Sequence, residues 1–190
     1  MKNNFIIAIG LAAAFLQMPA PVSAQSSGAS RQNPLLHKSS LPFGAPDFSR
    51  IQEADYLPAI EAGIKEQREN ISKIVNNKKK PTFQNTILAY EESGNLLDRV
   101  SSVFFGLTSA HKTPVIAETE KKVMQQLTDL DNEISFNQQL FERIKYVYDN
   151  EYKKLKGEDQ RLTEKIYKGF VRSGALLSTE KMERMKQINS

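Results

Sequence analysis

The chain has no cysteine and only two histidines, His37 and His111. Without cysteine no disulfide can form, so packing alone must hold the fold together, and a lipoprotein anchor is excluded. A catalytic zinc usually needs three protein ligands and an open water position. The H-E-x-x-H frame supplies two of those ligands on one helical face, and neither histidine sits in such a frame. No catalytic, cofactor-binding or metal-ligating residue is therefore assigned.

Other absences narrow the reading further. There is no strand-period stretch of useful length and no internal repeat of fixed period. No apolar run approaches the roughly 20 residues that span a bilayer. Charge of one sign is also scarce in excess: the formal net charge is +4, spread over many groups of both signs. Lys78-Lys79-Lys80 is the only run of three and precedes Pro81, which reads as a solvated loop between helices. No nucleic-acid partner is expected.

What is present begins with an export signal. Lys2 gives a short positive start, residues 5–16 form an uncharged apolar run broken only by Gly10, and Val22-Ser23-Ala24 fits the small-x-small cleavage rule. Residues 1–24 are expected to be removed, leaving a protein with no membrane attachment, exported to the periplasm if the source is Gram-negative. Residues 25–32 are polar and rich in Ser, Gly and Gln, a flexible linker. Residues 33–47 carry Pro34, Pro42, Pro46 and Gly44 among Leu35, Leu36, Leu41 and Phe43, with Phe48 just beyond. The expectation is an extended, non-helical arm, because Pro removes donors and biases its preceding residue away from helix. Linker and arm together make one segment, 25–54.

From residue 55 to 190 the pattern is helical throughout. Asp55 is expected to cap a helix with Tyr56, Ile60, Ile64, Ile71 and Ile74 on one face, and Pro58 in its first turn. Thr82 caps the next segment, which carries Ile87, Tyr90 and Glu91, and Ser93-Gly94 marks a weak point in it. Leu97, Val100, Phe104 and Leu107 continue the stripe. Thr113-Pro114 is a restart, a cap followed by Pro at the first helical position, with Ile116, Val123, Leu127, Leu130 and Ile134 inward. Asn137 is expected to cap a helix bearing Leu140, Phe141, Ile144, Val147 and Tyr148, and Gly157 to end it. Leu162, Ile166 and Phe170 follow at four-residue spacing up to a break at Gly174. Ser178 then caps a last segment whose Met182, Met185 and Ile188 begin a stripe. No C-cap closes it, so the natural chain is expected to run on past Ser190.

Several side chains invite a chemical reading and are better explained otherwise. His37 lies in the arm with no ligand partner at helical spacing, and His111 at a helix end suits the dipole. Glu118 with Glu120, and Asp129 with Asp131, are two apart and point to different helix faces. Asp47, Glu53 and Asp55 fit capping roles. Tyr146, Tyr148, Tyr152 and Tyr167 are expected in helical packing, with lining of a peptide channel as the sharper reading. No glycine-flanked serine elbow supports Ser/His/Asp catalysis.

The order of short blocks resembles a known family. Asn33-Pro34-Leu35-Leu36, Leu41-Pro42-Phe43-Gly44-Ala45-Pro46-Asp47-Phe48 and Asp55-Tyr56-Leu57-Pro58-Ala59-Ile60 look like the opening of bacterial peptidyl-dipeptidases. These are the dipeptidyl carboxypeptidases among the thimet-oligopeptidase-like zinc metallopeptidases. Pro81-Thr82-Phe83-Gln84-Asn85-Thr86-Ile87, Glu92-Ser93-Gly94 with Arg99-Val100, Leu140-Phe141-Glu142-Arg143-Ile144, and Phe170-Val171-Arg172-Ser173-Gly174-Ala175-Leu176-Leu177 extend the resemblance across residues 33–190. It implies an all-α region, antiparallel helices of the N-terminal lobe of a two-lobed, mostly helical peptidase. The implied parent uses zinc to release dipeptides from the C-terminus of oligopeptides, and the implied partner is its catalytic lobe. None of these blocks carries that chemistry, so the chain alone is expected to be inactive and to hold no cofactor. The alternative is a self-sufficient exported helical module that binds peptides or a protein without catalysis.

Overall fold

In a computed structural model, residues 31–189 are described. The expected export signal and most of the linker lie outside them. The described residues are helical and contain no strand: α1 Glu53–Val75, a π-helical segment Phe83–Leu88, a single turn α2 Ala89–Glu91, α3 Asn95–Ala110, α4 Pro114–Ser135, α5 Gln138–Asn150, α6 Gly157–Arg172 and α7 Thr179–Asn189. Short 3₁₀ turns occupy Pro34–Leu36, Pro42–Gly44, Glu92–Gly94 and Tyr152–Lys154. None of the helices is long and apolar enough to cross a membrane, among the described residues.

The core forms where the stripes of α1, α3, α4, α5 and α6 meet. Tyr56, Ile60, Ile64, Ile71 and Ile74 of α1 are all buried, as are Val100 and Phe104 of α3 and Ile116 and Val123 of α4. Helix α1 packs against both α3 and α4, while α5 packs on α6 and on the π-helical segment. Arg68 of α1 closes a two-pronged pair on Glu133 of α4, each bond 2.7 Å. Both side chains are about half exposed, so the pair fixes register more than it adds stability.

One crossing is tight enough to require glycine. A Cβ on Gly63 would lie 2.8 Å from the Leu97 Cα and 3.0 Å from its nitrogen. That is backbone, which cannot swing aside, so α1 and α3 approach through this gap. Gly63→Ala is expected to cost about 1–3 kcal/mol by overpacking and to lower the melting temperature by roughly 5 °C. Thermal unfolding by circular dichroism measures this. An unchanged melt would contradict the close crossing.

Most caps fall where the sequence places them. Thr82, Thr113 and Asn137 each accept from the backbone N–H three residues on, at 3.2, 3.2 and 2.9 Å. Gly174, at φ +95°, closes α6: its N–H reaches the Val171 carbonyl at 3.1 Å, and the Ala175 N–H reaches back to Phe170 at 3.0 Å. Those two bonds define a Schellman ending.

Four expectations need correction. The first long helix starts at Glu53, after Gln52 at the cap, three residues before the start that Asp55 as cap would give. Asp55 is its third residue, and the carboxylate accepts from the Gln52 N–H at 2.7 Å. It therefore braces the start without being the cap. Pro58 is accordingly the sixth residue, beyond the first turn, and has no N–H to give the Ala54 carbonyl. Gly157 does not end a helix. Helix α5 stops at Asn150, and Gly157, at φ +58°, opens α6. The arm is not simply extended, because two of its prolines each start a 3₁₀ turn, a position where the missing donor is not needed.

Candidate functional site

The arm is tied to α1 through Asn33 and to α3 through Arg99. Asn33 accepts from the Leu35 N–H at 3.0 Å and donates to the Asp55 carbonyl at 2.8 Å. Arg99 of α3 reaches out with Nη1 to the carbonyls of Leu35 and His37, at 2.8 and 2.9 Å. Leu35 is the arm's buried anchor, while Leu36, Leu41, Phe43 and Phe48 remain exposed. Phe43 adopts φ +61°, a left-handed conformation costly for a residue with a Cβ. Between arm and α3 the strapping leaves a cavity of about 260 Å³.

The two histidines stand at the ends of different elements. The His37 ring lies in the arm, its Nε2 2.7 Å from the Gln32 amide nitrogen. His111 ends α3, where its N–H donates to the Leu107 carbonyl at 2.7 Å. Among the described residues, no cluster of His, Asp and Glu groups could hold a metal ion. The donor set present does not fit the catalytic zinc that the resemblance implies.

The carboxylates are engaged locally. Glu120 pairs with Lys112, and Glu118 with Lys121 at 3.5 Å. Asp129 accepts from the Gln125 amide at 3.0 Å. Asp47 accepts from the N–H and hydroxyl of Ser49, at 3.2 and 2.6 Å. Glu53 accepts from the Thr113 hydroxyl at 2.8 Å, linking the starts of α1 and α4. Asp131, with Glu91 and Asp98, adds to the effect of burial on Tyr90, whose hydroxyl is pushed up to about 12. Tyr90 therefore keeps its proton at ordinary pH.

Three of the four tyrosines stack on one another. Tyr148 of α5 lies 4.0 Å from Tyr167 of α6, with planes 10° apart, and Tyr152 follows at 4.9 Å. Phe141 continues from Tyr167 at 5.9 Å and meets Phe170 at 6.1 Å, whose edge contact with Tyr90 is 5.5 Å. The result is a ladder of six rings that fastens α5 to α6 and to α2. At its outer end the Tyr152 hydroxyl donates to Glu164 at 3.3 Å. Bonding to Lys168, with Tyr152 assisting, holds the Glu164 carboxyl below its usual range. Tyr146 stands apart, with the Lys80 ammonium over its ring at 5.4 Å.

Sequence reasoning gives Arg143 no separate role. From α5 it donates to the Asn77 carbonyl at 2.8 Å and to Asn85 at 3.3 Å, with longer bonds to Lys79. It thus clamps the loop after α1 onto the π-helical segment. The local spacing of residues carries no sign of a contact between positions so far apart.

No known protein-family profile matches the chain. Among curated proteins, it is 40% identical over 159 residues to a dipeptidyl carboxypeptidase of Salmonella typhimurium and 39% identical over 159 residues to that of Escherichia coli. It is 25% identical over 157 residues to oligopeptidase A of Escherichia coli. Those matches cover 83%, 83% and 82% of this chain but 23%, 23% and 22% of the relatives. The chain thus spans just under a quarter of the length of the proteins it matches.

Proposed function

Since the chain belongs to the peptidyl-dipeptidases of the thimet-oligopeptidase family, we propose that it is the N-terminal, non-catalytic portion of an exported zinc metallopeptidase. The whole enzyme would remove dipeptides from the C-terminus of oligopeptides. The single observation that carries this reading is the asymmetry of the match, which takes in most of this chain and under a quarter of each dipeptidyl carboxypeptidase. The lack of a metal-holding cluster among the described residues is compatible with chemistry supplied by other parts of the enzyme.

In this reading the helices act as a rigid wall. The aromatic ladder and the α1–α3 crossing fix the helices relative to one another, and zinc and the groups that act on the peptide are contributed by the catalytic lobe. Val115, Met124, Leu176 and Ile188 are more than half exposed. They are candidates for burial against that lobe, and in isolation they raise the tendency to aggregate.

A chimera tests the proposal. The matched region of the Salmonella enzyme is replaced by the corresponding region of this chain, and dipeptide release from a blocked peptide is assayed with and without a chelator. Chelator-sensitive release is expected. A folded chimera that binds zinc yet releases no dipeptide would contradict the assignment and favour a self-sufficient binding module. Export is tested by fractionating Gram-negative cells: a periplasmic product beginning at Gln25 is expected, and an uncleaved cytoplasmic product would refute it.

A further inference from the structure

We propose that the cavity between the arm and α3 binds a small carboxylate with an apolar body, a ligand about the size of one N-acylated amino acid. This inference is independent of the assignment above. It stands on the shape and charge of the cavity itself.

The cavity is about 260 Å³, just below the roughly 300–1,000 Å³ typical of ligand sites, which limits the occupant to a small molecule or one terminal residue. Part of its lining is apolar, from Leu35, Ile51 and Val103. Its charge is one-sided: Lys38, Arg50 and Arg99 line it, with the His37 ring beside them. The only carboxylate in the lining is Asp47, and its Oδ1 already accepts two bonds from Ser49. An anion thus meets the cationic groups of Lys38 and Arg99, while the one carboxylate is turned to Ser49.

Arg99 is the best-placed of these. Its Nη1 is held by the carbonyls of Leu35 and His37, so the guanidinium is fixed before any ligand arrives. Nε and Nη2 make no protein hydrogen bond among the described residues. A guanidinium anchored at one nitrogen and open at the others suits a carboxylate, which takes two parallel N–H donors. The apolar lining selects against a bare inorganic anion, because covering it with a hydrocarbon body adds favourable burial.

The same chemistry has two sources, a free small acid and the C-terminus of a peptide. The test titrates the ¹⁵N-labelled chain with N-acetylleucine, with N-acetylleucinamide, and with a pentapeptide ending in a free leucine, following the amides of Ser39, Ser40 and Gly44 and the Arg99 Nε by NMR. Saturable shifts with N-acetylleucine are expected, with the uncharged amide about tenfold weaker. If the pentapeptide binds as tightly as N-acetylleucine, the source is a peptide end; if only N-acetylleucine binds, it is a free acid. Lys38→Glu, on an exposed side chain, is expected to weaken binding several-fold with an unchanged melt. Equal binding of acid and amide, or no saturable shift with either carboxylate, would overturn the proposal, and that comparison needs no variant.

Discussion

Phe104→Ala is expected to remove about 3–5 kcal/mol of stability. Phe104 is fully buried, its ring 5.3 Å from Tyr56 of α1 and 5.3 Å from Phe105. It sits where the stripes of α1 and α3 meet, so no single neighbour can move to fill the space it leaves. Domain stabilities run to only about 5–15 kcal/mol, so the loss is a large share of the total. Urea unfolding checks it: the midpoint should fall sharply while the slope stays the same. Phe48→Ala, on an exposed ring, is the control and should change stability by less than about 0.5 kcal/mol. Equal effects for the two would mean that the stripes do not pack as described.

The second large effect is local. Arg143→Ala removes the donors that hold the carbonyls of Asn77 and Lys79 and the Asn85 side chain. The loop then keeps Asn85, which donates to the Lys80 carbonyl at 2.9 Å, the Lys79 N–H on the Asn77 side chain at 2.9 Å, and Lys80 over the Tyr146 ring. Losing about 1–1.5 kcal/mol of hydrogen bonding raises the opened population about tenfold. Tryptic cleavage after Lys78 and Lys79 should accelerate by about that factor, with helix content unchanged by circular dichroism. An unchanged cleavage rate would show that the clamp does not hold the loop. Burial lowers the Arg143 pKa, but a guanidinium stays charged at any working pH. Arg143→Lys should behave much like Arg143→Ala, since one ammonium cannot span three acceptors on two segments.

These two residues differ in how far each could be read from sequence. Phe104 belongs to a stripe with Leu97, Val100 and Leu107, and periodicity alone points it inward. The caps Thr82, Thr113 and Asn137 and the Gly174 ending were legible for the same reason, because each is decided within a few residues. The start of α1 was not. Gln52 is a weak capping residue, and Asp55 looked like the cap because its actual role, bracing the Gln52 N–H from the third position, uses the same carboxylate. Gly157 was legible as a break, but a left-handed glycine can open a helix as readily as close one. The π-helical segment carries no periodic signature that separates it from an α-helix over six residues. Thr163, fully buried with its hydroxyl on the Asp159 carbonyl at 2.8 Å, hides among polar residues in the sequence.

The candidate site divides along the same line. The sequence spacing leads one to expect that His37 and His111 do not form a ligand pair, and the fold sets them at the ends of different elements. The cationic cavity did not, because it depends on Arg99 meeting carbonyls 62 and 64 positions away. The tyrosines fell between these cases. Their helical placement was expected, but their mutual stacking depends on how α5 and α6 face each other.

Zinc stoichiometry tests the central claim most directly. The purified chain is dialysed to equilibrium against zinc, passed through a desalting column and analysed for metal. In parallel it is assayed for dipeptide release from a blocked peptide. The account predicts no stoichiometric zinc and no release above a heat-killed sample. One tightly held ion per chain, or zinc-dependent release of dipeptide, would contradict it.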